Sequence, residues 1–312
     1  VVSEWNGKRQ TGYAADCLPP LWFDKSPERL YRQQIQDMVD AISVSASAAV
    51  SLGICDNALD LALGLSRNTH GGFRHPALLK GFGDSMVERA VIDGCCRLNN
   101  ATFADLVSQN IICDERQIEF RTQQGKVIRS PIWNRDSRTD RISIRHTIGL
   151  GDDVTGKSGT DQSSLSDYVN RDGLRFFKVK VANRGRIDVH RIVQIAGCLE
   201  NMIGLDYHIT IDGNEQFSDF REFIEFFEEL SSTARLQNFV SRIIAIEQPL
   251  RRSLALQSDA VEGLDEFTCQ LPVIIDESDD AWSSFASAVE LGYTGTSSKG
   301  CKGVFKALCN RY

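Results

Sequence analysis

Five segments in the second half of the chain place charged residues at, or just after, the end of a short apolar run. They are Lys178-Val179-Lys180, Asp212-Gly213-Asn214, Glu247-Gln248-Pro249, Asp276-Glu277-Ser278 and Lys299-Gly300-Cys301-Lys302-Gly303. Asp212, Glu247 and Asp276 supply one carboxylate from each of three successive runs. In one pocket they would repel one another. A hard divalent cation removes that cost, and three carboxylates with water suit Mg²⁺. Lys178 and Lys180 stand two residues apart and so share one side of a strand. Lysines flanking a cation can serve as proton donor and acceptor.

These groups meet only if the elements that carry them are arranged in parallel. Apolar, β-branched runs at 142–148, 175–181, 208–212, 242–247, 272–276 and 295–298 are predicted strands covered on both faces. They recur at intervals of roughly 25 to 35 residues, the length of a βα unit. Amphipathic stretches lie between them. In 219–230, Phe220, Ile224, Phe227 and Leu230 are expected to share a face. In a parallel barrel all C-terminal strand ends open at one mouth. The expectation is therefore an α/β fold of the (β/α)8 type, a modified TIM barrel, over 141–312. Six of its strands are visible and its C-terminal strands are missing.

The region before it reads as an α+β domain over 1–117, followed by a linker at 118–140 with a strand pair. Two strand pieces at 1–13 flank Asn6-Gly7-Lys8, and Pro19-Pro20 breaks regular structure. Ser26-Pro27-Glu28 is expected to open a helical stretch over 26–66. The spacing of Met86, Ala90, Val91 and Cys95 predicts a helix over 84–98.

A hydrophobic fraction of 42% and a charged fraction of 25% are those of a globular protein rather than a disordered one. A net charge of -7 argues against general nucleic-acid binding, which needs a basic surface. No apolar run approaches the roughly 20 residues that span a bilayer, so no membrane partner is expected. The first residues do not have the pattern of a signal peptide. They lack an initiator Met, and the chain is read as clipped at its start. The 9 cysteines form no CxxC pair and no zinc-ligand spacing, which points to reduced thiols and a cytoplasmic location. Neither a GxGxxG nor a Walker loop is present.

In these motifs the chain resembles the enolase superfamily, in particular the muconate-lactonizing-enzyme subgroup of its mandelate racemase/muconate lactonizing enzyme family. The likeness runs from about Gly7 to the end, and Val87-Glu88-Arg89-Ala90-Val91-Ile92-Asp93 is similar to the last helix of that family's capping domain. The resemblance implies that 1–117 is a capping domain, with the loop at 13–22 as its lid. It implies Asp212, Glu247 and Asp276 as ligands of Mg²⁺, with Mn²⁺ as a substitute. Lys180 becomes one acid/base group, with Lys178 beside it near the substrate carboxylate, and Lys299 becomes the acid/base group on the opposite face. Asn214, Glu277 and Lys302 match supporting polar positions. The family's segment here is Lys-x-x-Lys-x-Gly-Gly. This chain ends it in Gly303-Val304, which leaves Lys302 as the alternative to Lys299 for the lysine that faces the metal.

The implied activity is metal-dependent abstraction of the proton α to a carboxylate, in a racemase, epimerase or cycloisomerase. An acid-sugar dehydratase or an o-succinylbenzoate synthase-like lyase would use the same enolate, and a barrel that only binds is the non-catalytic alternative. Relatives that dehydrate often carry a histidine on a later strand. None of His70, His75, His146, His190 and His208 ends strands three to six. The implied partner is a small-molecule carboxylate, and a homo-oligomer is expected.

Overall fold

The computed structural model describes residues 1–5, 7–68, 75–114, 116–129, 139, 141–154 and 164–310. The chain forms two compact units. The first comprises 1–138, 279–286 and 298–312, and the second comprises 139–278 and 287–297. The boundary after 138 falls inside the expected linker. The segments 279–286 and 298–312 group with the N-terminal unit, whereas the sequence reading placed all of 141–312 in one domain.

In the first unit, β1 (Val2–Trp5) and β2 (Lys8–Thr11) form an antiparallel hairpin. Gly7 has a φ of 73°, which a glycine adopts without strain. Asn6 of the expected turn lies outside the described residues. The main helices are Tyr31–Leu52, Ala58–Arg67 and Ala77–Asn99. Ser26-Pro27-Glu28 does not open the first of them. The Ser26 amide is tied to Asp24 Oδ1 at 2.9 Å, and the helix starts after Leu30, whose N–H donates to Gln33 Oε1 at 3.0 Å. The helix expected over 84–98 begins earlier, after Pro76, and ends where Asn100 turns left-handed at φ 48°. Inside the expected linker, β3 (Glu119–Arg121) and β4 (Val127–Arg129) form the anticipated strand pair. The C-terminal helix Val304–Cys309 buries Phe305 and Cys309 among Leu59, Ile92 and Leu106.

The second unit is built on six strands: β5 (Arg145–Ile148), β6 (Phe176–Lys180), β7 (His208–Asp212), β8 (Ile243–Glu247), β9 (Val273–Ile275) and β10 (Gly295–Thr296). They pair in parallel and in chain order. The unit is thus α/β with a parallel sheet. All six predicted strands are found, β7 with its expected bounds and the other five trimmed at their ends. One alternating face carries Phe177, Val179, Ile209, Ile211, Ile246, Val273 and Ile275, which join the buried core. The other face carries Lys178, Lys180, Thr210, Asp212 and Glu247. The strands are therefore two-sided, not apolar throughout.

A β-bulge makes that pattern possible. Ile209 pairs with Ile243 but Thr210 pairs with Ala245, so Ile244 is the extra residue. It is 44% exposed. The bulge switches the parity of β8, so that Ile243 and Ile246 both reach the core and Glu247 faces the same way as Asp212.

Helix Phe220–Ser232 buries Phe220, Phe223, Phe226 and Leu230, with Asp219 as its N-cap. The sequence stripe named Ile224 and Phe227 instead, and these are only partly buried. Phe223 and Phe226 turn the face, because both pack on Phe217, at ring distances of 5.2 and 5.5 Å. Among the described residues no helix is long and apolar enough to cross a membrane.

A buried carboxyl anchors the C-terminal helix of the first unit. Glu88 is 4% exposed, and its oxygens accept the N–H groups of Val304 at 3.1 Å and Phe305 at 2.7 Å. Burial pushes this carboxyl up to about 7, with Asp84 adding to the effect and the two amides and Arg89 opposing it. A carboxyl raised above its free value of 4.5 contributes stability that is complete below that pH and lost as pH rises through about 7. That contribution is on the order of 3 kcal/mol. Replacing Glu88→Gln should flatten this part of the pH dependence. Denaturant melts followed by the fluorescence of Trp22 and Trp282, both in this unit, read it out. Parallel curves for the two proteins would exclude Glu88 as the titrating group.

Candidate active site

The ends of β6, β7 and β8 meet on the polar face of the sheet. Lys180 pairs with Asp212 and Asp212 with Glu247 along the ladder. Lys178 Nζ donates to Glu247 Oε1 at 2.7 Å and lies 3.2 Å from Asp212 Oδ2. Its surroundings are dry: Lys178 is 8% exposed and Glu247 0%. Burial by itself would lower the proton affinity of this ammonium. The charges of Asp212, Glu247 and Asp276 and the hydrogen bond to Glu247 outweigh it, and the Lys178 pKa is raised. All three carboxylates singled out in the sequence thus act on one positive charge.

Beyond the strand ends the chains stay interlocked. Gly213 N–H donates to Glu247 O at 2.9 Å, and Glu215 N–H to Gln248 O at 3.0 Å. A side chain at Gly213 would stand 2.5 Å from Pro249 Cα, so only glycine fits this approach. Asn214 is a junction. Its backbone N–H donates to Asp212 Oδ1 at 2.9 Å, its Nδ2 donates to Glu277 Oε1 at 3.0 Å, and its Oδ1 accepts from Lys180 Nζ at 3.1 Å. Burial, followed by the charges of Asp276, Glu215 and Asp212, pushes Glu277 up to about 7.

The structure adds residues that the motifs did not single out. Arg145 Nη2 lies 3.2 Å from Glu247 Oε2, and its Nη1 donates to Thr210 Oγ1 at 3.2 Å. Only the strand register reveals it: Arg145 pairs with Phe176, which shares a face with Lys178. Glu215 holds Arg252 at 2.8 Å. Gln248 is 1% exposed and bonds across to the end of β9.

Lys299 and Lys302 belong to the first unit. Lys299 Nζ lies over the ring of Trp22, 4.4 Å from its centre. Lys302 is buried, with its Nζ 3.4 Å from Asp279 Oδ2, and Lys306 holds the other oxygen of Asp279 at 3.0 Å. The segment 13–22, read as a lid, includes the start of the short helix Pro20–Phe23. The Tyr13 amide donates to Asp93 Oδ2 at 2.9 Å.

Among the described residues, no three His, Cys, Asp or Glu side chains are gathered closely enough to hold a metal ion as they stand. In donor type and charge the set nevertheless fits a hard divalent cation. It is all oxygen and already converges on a cation, the Lys178 ammonium. Glu247 Oε2 and Glu277 Oε2 are buried without a hydrogen bond.

No family model matches the sequence, and no curated protein matches it. Solved structures do. The muconate lactonizing enzyme from Pseudomonas putida superposes with a TM-score of 0.52 at 18% identity, covering 88% of this chain and 62% of that one. An enolase from Bradyrhizobium, complexed with magnesium and mandelic acid, gives 0.53 at 16% identity, covering 85% and 59%. The muconate lactonizing enzyme from Pseudomonas fluorescens, complexed with muconolactone, gives 0.53 at 17% identity, covering 86% and 59%. The chain spans about three-fifths of the length of these structures. It shares the fold of these structures over most of its own length.

The buried Lys178 pair generates a stability prediction. Removing one partner leaves a charge without compensation in a dry site, which costs about 3 to 5 kcal/mol. Lys178→Met should lower the unfolding free energy by that order, and adding Glu247→Gln should return part of it. Far-UV circular dichroism in urea suits the measurement, because the second unit contains no tryptophan. Additive losses in the double variant would show that the two groups are not coupled.

Proposed function

We propose that this chain is the greater part of a (β/α) barrel enzyme with an N-terminal capping domain. In this reading it removes the proton α to the carboxylate of a small-molecule substrate, as a racemase, epimerase or cycloisomerase of the muconate lactonizing type. The observation that carries the reading is the pairing of both Asp212 and Glu247 with Lys178 on one face of the sheet, with Lys180 beside Asp212 and Asp276 directly after the next strand. The shared fold supports it.

Asp212, Glu247 and Asp276 would hold Mg²⁺, or Mn²⁺ in its place. Bound there, the cation supplies the positive charge that stabilises the enediolate as the proton leaves. Lys180 takes the proton at its Nζ, an atom that Asn214 Oδ1 holds in place at 3.1 Å. Lys178 orients the substrate carboxylate. Lys299 is the second acid/base group. The choice of Lys299 over Lys302 is supported by their surroundings, since the Lys302 ammonium is enclosed with Asp279 while Lys299 is half-exposed. Asn214 holds Lys180 and is itself held by Glu277.

Two measurements test this. Calorimetric titration should show specific Mg²⁺ binding that Asp212→Asn or Asp276→Asn weakens. Incubation in D₂O with Mg²⁺ and a panel of dipeptides, N-acylamino acids and sugar acids should put deuterium on the α-carbon of at least one class. Lys180→Ala should slow that exchange by roughly 10²- to 10⁴-fold, the usual worth of a general base. Full exchange in both Lys180→Ala and Lys299→Ala would sink the two-lysine assignment, and a protein that binds no Mg²⁺ would sink the metal reading.

A further inference from the structure

Gln248 is a buried amide in which every bonding position is used. Its Oε1 accepts the backbone N–H of Asp276 at 2.6 Å and of Ser278 at 3.2 Å. Its Nε2 donates to Leu250 O at 2.8 Å and to Ser278 Oγ at 2.6 Å. The orientation of the amide is unambiguous, because backbone N–H groups only donate and a carbonyl only accepts. Its own N–H donates to Ile274 O at 2.8 Å. The residue has a φ of 38°, in the left-handed region that a side chain rarely adopts. That conformation persists only where the surroundings hold it.

The place of these bonds gives them their meaning. The β8–β9 ladder stops at the pair Glu247 and Ile274. The next N–H on the β9 side is that of Asp276, and in place of a neighbouring backbone carbonyl it finds the side chain of Gln248. Gln248 follows Glu247 directly. One amide therefore ties the backbone that carries the Glu247 carboxylate to the backbone that carries the Asp276 carboxylate.

We propose that Gln248 is a positioning residue that fixes Asp276 against Glu247 and thereby sets the affinity of the site for a divalent cation. This inference rests on the cation reading above. Removing the acceptor frees the Asp276 backbone, and partners behind a metal's ligands typically change its affinity by roughly 10- to 100-fold.

Titration calorimetry with MgCl₂ on the wild-type chain, Gln248→Met and Gln248→Glu tests it. Methionine keeps the bulk and removes the acceptor, so a Kd weaker by roughly 10-fold or more is expected in a protein that still unfolds cooperatively. Glutamate keeps the acceptor for both N–H groups and, as the protonated acid, one donor hydrogen for Leu250 O, so its Kd should stay within a few-fold of wild type. Wild-type affinity in folded Gln248→Met, or lost binding in folded Gln248→Glu, overturns the positioning role while leaving the cation reading intact. No binding by the wild-type chain overturns both. If neither variant folds, amide hydrogen exchange of the wild-type protein decides: the Asp276 N–H should be strongly protected, and fast exchange there overturns the proposal.

Discussion

A carboxylate with no access to water must find its counter-charge inside the protein, and Glu247 is such a carboxylate. Taking an ion out of water costs several kcal/mol even after the protein relaxes, and only close, well-placed partners repay it. Lys178 at 2.7 Å and Arg145 at 3.2 Å are those partners. Both come from other strands, so the pairing fixes the register across β5 to β8. A slip of one residue would turn Lys178 or Glu247 into the apolar layer of Phe177, Val179 and Ile211. The bulge at Ile244 follows from the same demand. β8 needs Ile243 and Ile246 in the core and Glu247 on the opposite face, and an unbroken alternation cannot provide all three.

The turns after the strands extend this constraint. Residues 212–217 and 247–251 continue side by side past the regular sheet, through the bonds of Gly213, Glu215 and Phe217 to the neighbouring segment. Asn214, Glu215 and Gln248 all take positive φ to do so. Such residues cost on the order of 1 kcal/mol or more each and survive where side-chain bonds over-determine them. Here Asn214 is held by Lys180 and Glu277, Glu215 by Arg252, and Gln248 by the end of β9. Backbone strain and polar bonds thus concentrate at the strand ends, where the candidate site lies.

What was legible in the sequence follows from which signals are local. Short apolar runs are visible in one dimension and three of the six close with an acid, so all six strands and the residues Asp212, Glu247 and Asp276 stood out, and the parallel order places their strands side by side. Parity changes are not visible in this way. The run Ile243-Ile244-Ala245-Ile246 shows no alternation, because the bulge sits inside it. Arg145 reads as an ordinary charged residue until strand pairing gives it a face. The stripe on Phe220–Ser232 was drawn from helical spacing alone, and Phe217, outside the helix, shifted it. Ser26 has the residue type of a cap, but Gln33 took that task from within the helix. The grouping of 298–312 with the N-terminal unit depends on Glu88, 217 positions from Phe305, and on a core shared with Leu59 and Ile92, which are comparably remote in sequence.

The charge balance of the sheet face bears on the proposed cation. Glu215 and Arg252 close on each other, bonded at 2.8 Å. Asp212, Glu247, Asp276 and Glu277 then remain against Lys178, Lys180 and Arg145. The protein resolves the excess at Glu277, whose carboxyl is pushed up to about 7 by burial and by Asp276, Glu215 and Asp212, so near neutrality it competes to keep a proton. Lys178 meanwhile has its proton held more tightly by the carboxylates around it. A proton on one acid and an ammonium between two others each supply positive charge from the protein's own atoms. Both act at the spot where the donor set, all carboxylate oxygen, has the chemistry of a hard divalent cation site.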